Sequence, residues 1–155
     1  MGGDLVLSYL KGDIAGSDGE TMPAEGLRAS IHGDVVHSRP LTINYGGGKV
    51  SIFYGANDGV YGEINSSDGT EKWGFVAPEH FGAIRRLYEN TPLVQYTGEV
   101  QDPSLQYLPK GYFFDGSTGQ LVNYAQNGTV QSAYIYPTMR RGGRMVYAFD
   151  VTDPN

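Results

Sequence analysis

Glycine-containing turn dipeptides constrain the fold of this chain more than any other feature of its sequence. An Asp or Asn precedes a Gly at five places: Asp18-Gly19, Asp58-Gly59, Asp68-Gly69, Asp115-Gly116 and Asn127-Gly128. Asp, Asn and Gly tolerate positive φ, so each dipeptide favours a tight turn between extended segments. The chain carries 23 glycines and eight prolines, and only 18% of its residues are charged. This composition is typical of a β protein and disfavours a helical bundle.

Four stretches with alternating side chains lie close together in the first half of the chain. They predict strands over residues 41–44, 50–55, 59–65 and 71–76. The glycine run at Gly46–Lys49 faintly resembles a phosphate-binding loop, but such a loop joins a strand to a helix, so we interpret it as a hairpin turn. A four-stranded antiparallel meander of about 40 residues is the unit of a β-propeller.

A second, incomplete copy of this unit follows. The copies align over residues 38–44 with 117–123 and over residues 59–69 with 144–154. Asn65 and Asp150 occupy one equivalent position, and Asp68 and Asp153 occupy the equivalent turn position that follows. Strands are therefore predicted over residues 120–124, 130–136 and 145–151, and the fourth strand of this copy is missing.

A helical pattern separates the two copies. Phe81, Ile84, Leu87 and Tyr88 lie at helical spacing after Pro78, which predicts one short amphipathic helix within residues 78–89. The proline-rich stretch after it predicts a loop with a small hairpin. The 155 residues are thus interpreted as one fragment of a larger domain, with a leading strand and loop (1–30), a complete meander (31–77), an insertion (78–110) and an incomplete meander (111–155).

Charge and composition disfavour several classes of function. The formal net charge is −6 and the sequence pI is about 4.9, so we expect no nucleic-acid partner. The chain has no cysteine, which leaves no disulfide framework and no thiolate metal site. No apolar run approaches the roughly 18 residues of a membrane-spanning helix. The start MGGD has no signal-peptide pattern, and we interpret it as an artificial start before an internal piece of a longer protein.

The histidines form no recognisable catalytic or metal-binding pattern. His37 and Ser38 are adjacent, and adjacent side chains on a strand point to opposite faces, so this pair is unable to share a proton. His32 and His80 have no ligand at metal-binding spacing except Glu79, which would face elsewhere on a helix. We therefore expect no catalytic residue, no metal ligand and no enzymatic activity, and we interpret His37 as a polar residue at a strand entrance.

Seven residues are interpreted as structural residues of the repeat: Trp73, Asp58, Gly59, Asp68, Gly69, Asp150 and Asp153. Trp73 begins the outermost strand after a turn, and this position resembles the tryptophan-docking repeat of quinoprotein propellers. We interpret it as packing between neighbouring meanders, because aromatic burial of that size decides blade packing. The 12 tyrosines are scattered over alternating strands, which predicts half-buried rings rather than a sugar-binding platform.

Several segments together resemble the β-propeller domain of the type IV pilus tip-associated proteins, the PilY/PilC-type family of pilus-biogenesis factors and adhesins. They are HGDVVHSRPLTI (32–43), the stretch 54–88, YFFDGS (112–117) and RRGGRMVYAFDVTDPN (140–155). They occur in the family's order and include the helix after the tryptophan strand, whereas GVYGEIN replaces the family's more usual His-Ala-Phe-Asp run. The resemblance implies a mainly β fold: a partial β-propeller of quinoprotein-like four-stranded antiparallel meanders with one short inserted helix.

The resemblance also implies a location and partners. It implies a bacterial cell-envelope or surface protein at the periplasm, outer membrane or pilus tip. This chain would be a non-catalytic module for pilus assembly and surface attachment, with pilus components or a host or surface receptor as partners. Some family members bind calcium in this domain through an Asp/Asn-rich loop. Of the two candidate loops here, one offers Asp13, Ala15 and Ser17 and the other offers Asn65, Ser67 and Gly69. Neither supplies enough carboxylates for calcium, so we expect plain turns and no cofactor in this chain. The full-length parent could still bind calcium elsewhere.

Two other functions stay open at the level of sequence. The chain could be a fragment of a quinone-cofactor (PQQ-type) dehydrogenase propeller, which would need a full ring of blades, a calcium ion and a catalytic aspartate. It could also be a carbohydrate-binding propeller. The absorbance of bound quinone would identify the first alternative, and binding on a glycan array would identify the second.

Unpaired strands in this pattern predict self-association of the fragment. A propeller hides its strand edges by closing a ring, which two meanders do not do. The stretch Leu5–Leu10 reads as an orphan strand, and the second meander lacks its last strand. We therefore expect Leu5–Leu10 to add to an open sheet edge, in its own chain or in a neighbour, and the second arrangement gives a dimer.

Overall fold

A computed structural model describes residues 33–155 of the chain. Within these residues the protein is mainly β, with three sheets and one α-helix. In chain order the elements are β1 (Leu41–Gly46), β2 (Lys49–Gly55), β3 (Val60–Asn65), β4 (Glu71–Val76), α1 (Phe81–Glu89), β5 (Leu93–Gln95), β6 (Tyr107–Pro109), β7 (Gly119–Tyr124), β8 (Val130–Tyr136) and β9 (Phe149–Asp150). Residues 34–77 and 112–155 form one compact unit, and residues 78–111 belong to a second.

Strands β1 to β4 form an antiparallel sheet in chain order. The four predicted strands are confirmed, each to within two residues at its ends. Gly46, Gly47 and Gly48 have φ values of +88°, +61° and +81° between β1 and β2. Because glycine adopts positive φ without steric cost, the glycine run is the hairpin turn that the sequence predicts.

One face of the β1–β4 sheet is buried. Ile43 and Phe53 are fully buried, and Tyr61 on β3 is 1% exposed. Along β2 the buried residues alternate with half-buried ones, as a strand with one core face requires. This face forms one hydrophobic core together with residues of the second sheet, and the buried members are Ile43, Tyr45, Phe53, Tyr61, Ala77, Phe114, Ala133, Ile135, Met139 and Val151.

Strands β7, β8 and β9 form the second antiparallel sheet. The predicted strands 120–124 and 130–136 are confirmed, but the predicted strand 145–151 is wrong in extent, because β9 contains only Phe149 and Asp150. Pro137 follows β8 and has no N–H to donate, so the ladder beyond Tyr136 is interrupted. Val146 forms one isolated bridge with Thr138 in that region.

The two sheets pack through opposite faces of the repeat. The sequence alignment matches Ile64 in the first copy with Phe149 in the second. Phe149 pairs with the buried Ile135 and faces the shared core, whereas Ile64 pairs with Ile52 on the other face of its sheet. Since paired residues of a ladder share a face, the copies are related head to tail rather than face to face.

Two backbone hydrogen bonds occupy equivalent places in the two sheets and show which residues of the two copies correspond. They are Ser66 N to Val50 O at 3.0 Å and Val151 N to Ala133 O at 2.9 Å. Asn44 pairs with Val50 in the first sheet, and Val122 pairs with Ala133 in the second. Asn44 therefore corresponds to Val122, whereas the predicted alignment matches it with Asn123. The alignment of residues 38–44 with 117–123 is therefore one residue out of register, an error that places every side chain on the wrong face.

The unit that contains residues 78–111 holds the helix. The prediction of one helix within residues 78–89 is confirmed: a 3₁₀ turn over Pro78–His80 leads into α1. Ile84 is the buried residue of α1, and the helix ends at Asn90 in the left-handed conformation, which is typical of a helix C-terminus.

The loop after the helix contains a parallel strand pair, so the predicted small hairpin is wrong. Leu93 pairs with Tyr107 and Gln95 with Pro109, both in parallel register. The intervening loop carries the chain back so that β6 runs in the direction of β5, which a tight hairpin turn does not allow. Arg86 on α1 binds this pair, since its guanidinium donates hydrogen bonds of 2.7 to 2.9 Å to four backbone carbonyls, of Pro92, Leu93, Leu108 and Pro109.

Two further predictions concern the start of the chain and the membrane. The leading strand and loop over residues 1–30, with Leu5–Leu10 and the calcium-loop candidate at Asp13, lie outside the described residues. In the described part of the chain, no helix has the length and apolar character needed to cross a membrane.

Candidate functional site

Trp73 lies at the centre of an aromatic cluster between the two sheets. Its ring centroid is 5.6 Å from that of Phe149 in the second sheet and 6.2 Å from those of Phe53 and Tyr61 in the first. Tyr61 and Phe149 stack at 6.0 Å with an interplanar angle of 4°. These rings connect β3 and β4 to β9 through contacts that cross from one sheet to the other.

A buried carboxylate holds the indole ring in place. Glu63 is 4% exposed and lies directly opposite Trp73 in the β3–β4 ladder. The Trp73 Nε1–H donates to Glu63 Oε2 at 2.5 Å, and Lys72 Nζ lies 3.3 Å from Glu63 Oε1. The Lys72 ammonium also donates to the backbone O of Pro154, so it links the first sheet to the end of the second copy. A cavity of about 450 Å³ lies beside these residues.

Two tyrosine hydroxyls make further links between the copies. Tyr45 on β1 donates to the backbone O of Val151 at 2.6 Å, and the Tyr61 hydroxyl lies 3.0 Å from Thr118 Oγ1. Burial raises the pKa of Tyr45 and of Tyr61 well above the ordinary tyrosine value, and the hydrogen bond to Thr118 opposes part of that rise for Tyr61. Both hydroxyls are therefore neutral at physiological pH.

Two Asx turns connect β3 to β4 in the first copy. Asn65 Oδ1 accepts hydrogen bonds from Ser67 N and Oγ, at 3.1 and 3.0 Å. Asp68 Oδ1 accepts from Thr70 N and Oγ1, at 3.0 and 2.7 Å, and the backbone bond first, then the hydroxyl bond, lowers the pKa of Asp68. Gly69 has φ +74° and its N–H donates to the backbone O of Asn65 at 2.9 Å.

The second copy ends in the same pair of turns. Asp150 Oδ1 accepts from Thr152 N and Oγ1 at 3.0 and 2.6 Å, and Asp153 Oδ1 accepts from Asn155 N and Nδ2 at 3.0 and 2.8 Å. The Thr152 hydroxyl is the chief cause of a lowered Asp150 pKa. Because these side chains bind their own backbone, the arrangement is that of turn residues.

Asp58 and Gly59 form the turn between β2 and β3. Asp58 Oδ1 accepts from Val60 N at 3.1 Å, and Gly59 has φ +102°. The neighbouring Asn57 binds in two directions: its Oδ1 accepts from Phe113 N at 3.1 Å, and its backbone N–H donates to the O of Asp34 at 3.1 Å. This turn therefore fixes the segments that lead into both copies.

His37 and Ser38 bind different partners. His37 Nδ1 lies 3.0 and 2.9 Å from the two carboxylate oxygens of Asp115, which is 1% exposed. Ser38 Oγ accepts from Gly55 N at 3.0 Å and is buried. The pair therefore ties the start of the first meander to the start of the second, and the structure does not join the two side chains into a catalytic relay.

Of the two remaining histidine candidates, the structure describes one. His80 is buried at the end of the 3₁₀ turn before α1, and His32 lies outside the described residues. Among residues 33–155, no three His, Cys, Asp or Glu side chains are grouped as metal ligands.

Sequence reasoning missed three buried polar residues: Glu63, Asp115 and Asn57. Alternation in the stretch GVYGEIN points the other way for Glu63, because the apolar Val60 and Ile64 lie on the opposite face; only the pairing of Glu63 with the buried Phe53 shows that it faces the core. Asp115 had none beyond its Asp-Gly turn, since its partner His37 is 78 residues away.

Comparison with known proteins places the chain near one pilus protein. It is similar to a type IV pilus biogenesis factor PilY1 homolog from Xylella fastidiosa (strain Temecula1), with 27% identity over 173 aligned positions. The match covers 96% of this chain but 13% of the relative, so the chain spans a small part of that protein's length. No protein-family model and no solved structure matches the chain.

Proposed function

We propose that this chain is part of a β-propeller in a type IV pilus biogenesis protein, where it acts as a non-catalytic module for pilus assembly and surface attachment. The observation that carries the proposal is the similarity to a pilus biogenesis factor homolog over 96% of the chain. On this proposal the protein belongs to the bacterial envelope or pilus tip, and its partners are pilus components or a surface receptor.

The packing of the two meanders supports the propeller part of this proposal. The sheets are related head to tail. Ile64 and its counterpart Phe149 occupy the same face of their respective copies, but only Phe149 faces the core that the two sheets share. A head-to-tail interface leaves one face free at each end, and such interfaces either close into a ring or continue as a stack. A ring of meanders is the closed solution that a propeller uses.

The bonding of the polar residues supports a non-catalytic role. Ser38 Oγ accepts from a backbone N–H, His37 Nδ1 faces Asp115, and Asp68, Asp150 and Asp153 close their own turns. Each of these groups has a structural partner within the unit that contains it. A search for bound quinone by absorbance in the purified parent protein tests the competing dehydrogenase function, and quinone there would contradict the proposal.

The direct test uses the parent protein in its own bacterium. The double variant Trp73→Ala/Phe149→Ala removes the rings that connect the two meanders, so we expect loss of surface pili in a shear assay and loss of attachment. Arg85→Gln is the control, because Arg85 lies on the exposed side of α1, where its guanidinium binds Glu89. Normal piliation and attachment with a demonstrably disrupted double variant would refute the proposal, and immunoblots compare the amounts of parent protein.

A further inference from the structure

A second cavity, of about 390 Å³, lies at the start of the first meander. Its walls are Val36, His37, Ser38, Arg39, Ser117 and Arg140. None of these wall residues is acidic, although the chain has a formal net charge of −6. Two guanidinium groups thus line a concave site on a protein whose overall charge is negative.

The two wall arginines differ from others in the same part of the chain. Arg85 pairs with Glu89, and Arg141 donates to the hydroxyl of Tyr112 at 3.1 Å. Within residues 33–155, by contrast, no hydrogen bond or ion pair engages the side chain of Arg39 or Arg140. Both are exposed, so their donors are available to a ligand in the cavity.

The backbone that carries Arg140 is fixed in an unusual conformation. Arg140 has φ +46°, in the left-handed region that residues other than glycine rarely occupy. The turn continues through Gly142, whose N–H donates to Met139 O at 2.7 Å and whose missing Cβ leaves room for the carbonyl of Phe113. Strain of this kind concentrates at functional sites, where the surrounding structure holds it.

The opposite walls are fixed as well. Both oxygens of the buried Asp115 face His37 Nδ1, so this carboxylate is directed at the ring and does not line the cavity. Thr138 Oγ1 donates to the backbone O of Ser117 at 2.9 Å, which holds the segment that carries the Ser117 hydroxyl. The backbone segments that carry these wall residues are therefore held in place before a ligand binds, and the two arginine side chains are what has to become ordered.

We propose that this cavity binds an oxyanion, a phosphate, sulfate or carboxylate group of a small ligand, through the guanidinium groups of Arg39 and Arg140. A guanidinium presents its N–H donors as a planar fork that matches the oxygens of such groups. The Ser117 hydroxyl supplies a neutral donor on the same wall. The proposal goes beyond the pilus function and does not depend on it.

The test is a titration of the full 155-residue chain with sodium phosphate, sulfate and acetate by NMR chemical shifts, at constant ionic strength set with chloride. We expect saturable shifts at residues 36–39, Ser117 and Arg140. Arg39→Gln and Arg140→Gly should each weaken binding by about tenfold or more, since each removes charge-assisted hydrogen bonds. Arg144→Gln, an exposed arginine outside the cavity, should change binding by less than about twofold.

Arg140→Gly also separates binding from folding. Glycine adopts positive φ without strain, so this variant should melt at the same temperature as the parent or higher while it loses the anion. The comparison of phosphate and sulfate with acetate identifies whether a tetrahedral or a planar oxyanion fits better. Unchanged affinity in an Arg39→Gln/Arg140→Gly double variant, an equal loss in Arg144→Gln, or no saturable shifts with any of the three anions would overturn the proposal.

Discussion

Strands β1 to β4 each contribute six or seven residues to the first sheet, whereas β9 contributes two residues to the second. Despite this difference, the same pair of Asx turns follows β3 and β9, and both sheets present rings to the same core. Phe149, half of the short β9, contacts Tyr61, Trp73 and Phe75 of the first sheet. The end of the second copy is therefore held more by side-chain packing against the first sheet than by the backbone pairing of β9 with β8.

The largest expected effect comes from removing that ring. Phe149→Ala should destabilise the chain by about 3 kcal/mol, the lower end of the range for a large aromatic side chain because Phe149 is only partly buried. Leu121→Ala on the exposed face of the same sheet is the control and should change stability by no more than about 0.5 kcal/mol. Urea denaturation measures both, and equal effects would mean that the ladder, not the ring, anchors β9.

A smaller effect is expected where the end of β2 meets the segment before β7. A Cβ at Gly55 would lie 2.5 Å from that of Phe114, so Gly55→Ala should cost about 1–3 kcal/mol through overpacking. Gly82→Ala in α1 is the matched control, because nothing lies within 4 Å of its Cβ position and alanine favours the helix. Thermal unfolding of the two variants should shift in opposite directions, and a tolerated Gly55→Ala would show that the two segments separate easily.

The Tyr45 hydroxyl tests the link from β1 to the end of the second copy. Tyr45→Phe removes its bond to Val151 O and should cost about 1 kcal/mol near pH 7. Burial raises the folded-state pKa of Tyr45, so its contribution is complete below the unfolded value of about 10 and is lost as the pH rises through the folded value. The variant should therefore lose less stability than the parent above pH 10 in denaturant titrations; a parallel loss would show that Tyr45 does not cause it.

The smallest effect concerns the Asx turns that the copies share. The pKa values of Asp68 and Asp150 are lowered in the folded state, so their contribution is present above the unfolded value of about 4 and is lost as the pH falls through the lower folded values. Asp68→Asn and Asp150→Asn keep the acceptor oxygen and should flatten the acid limb of the stability curve by similar small amounts. A change in one variant only would show that the two turns are not equivalent.

The sequence predicts the first meander well because its signals are local. Alternation along β2 and turn glycines such as Gly47 and Gly59 depend on neighbouring residues alone. The length of β9 was not predictable in this way, because Pro137 interrupts a partner strand and Phe149 is held by another sheet. The link between His37 and Asp115 is similarly non-local, so no spacing rule could identify it.

The interruption of this unit by residues 78–111 has a consequence for how the protein is made. The bonds that close the unit join residues 78 and 106 positions apart, as in His37 with Asp115 and Tyr45 with Val151. Contacts of such long sequence separation form slowly, because a long loop has to close before they stabilise the chain. During synthesis the ribosome releases the first meander while its partner sheet does not yet exist, so Tyr61 and Trp73 lack the ring of Phe149 to pack against. In a nascent chain that aromatic face therefore stays exposed to solvent until Phe149 has been synthesised.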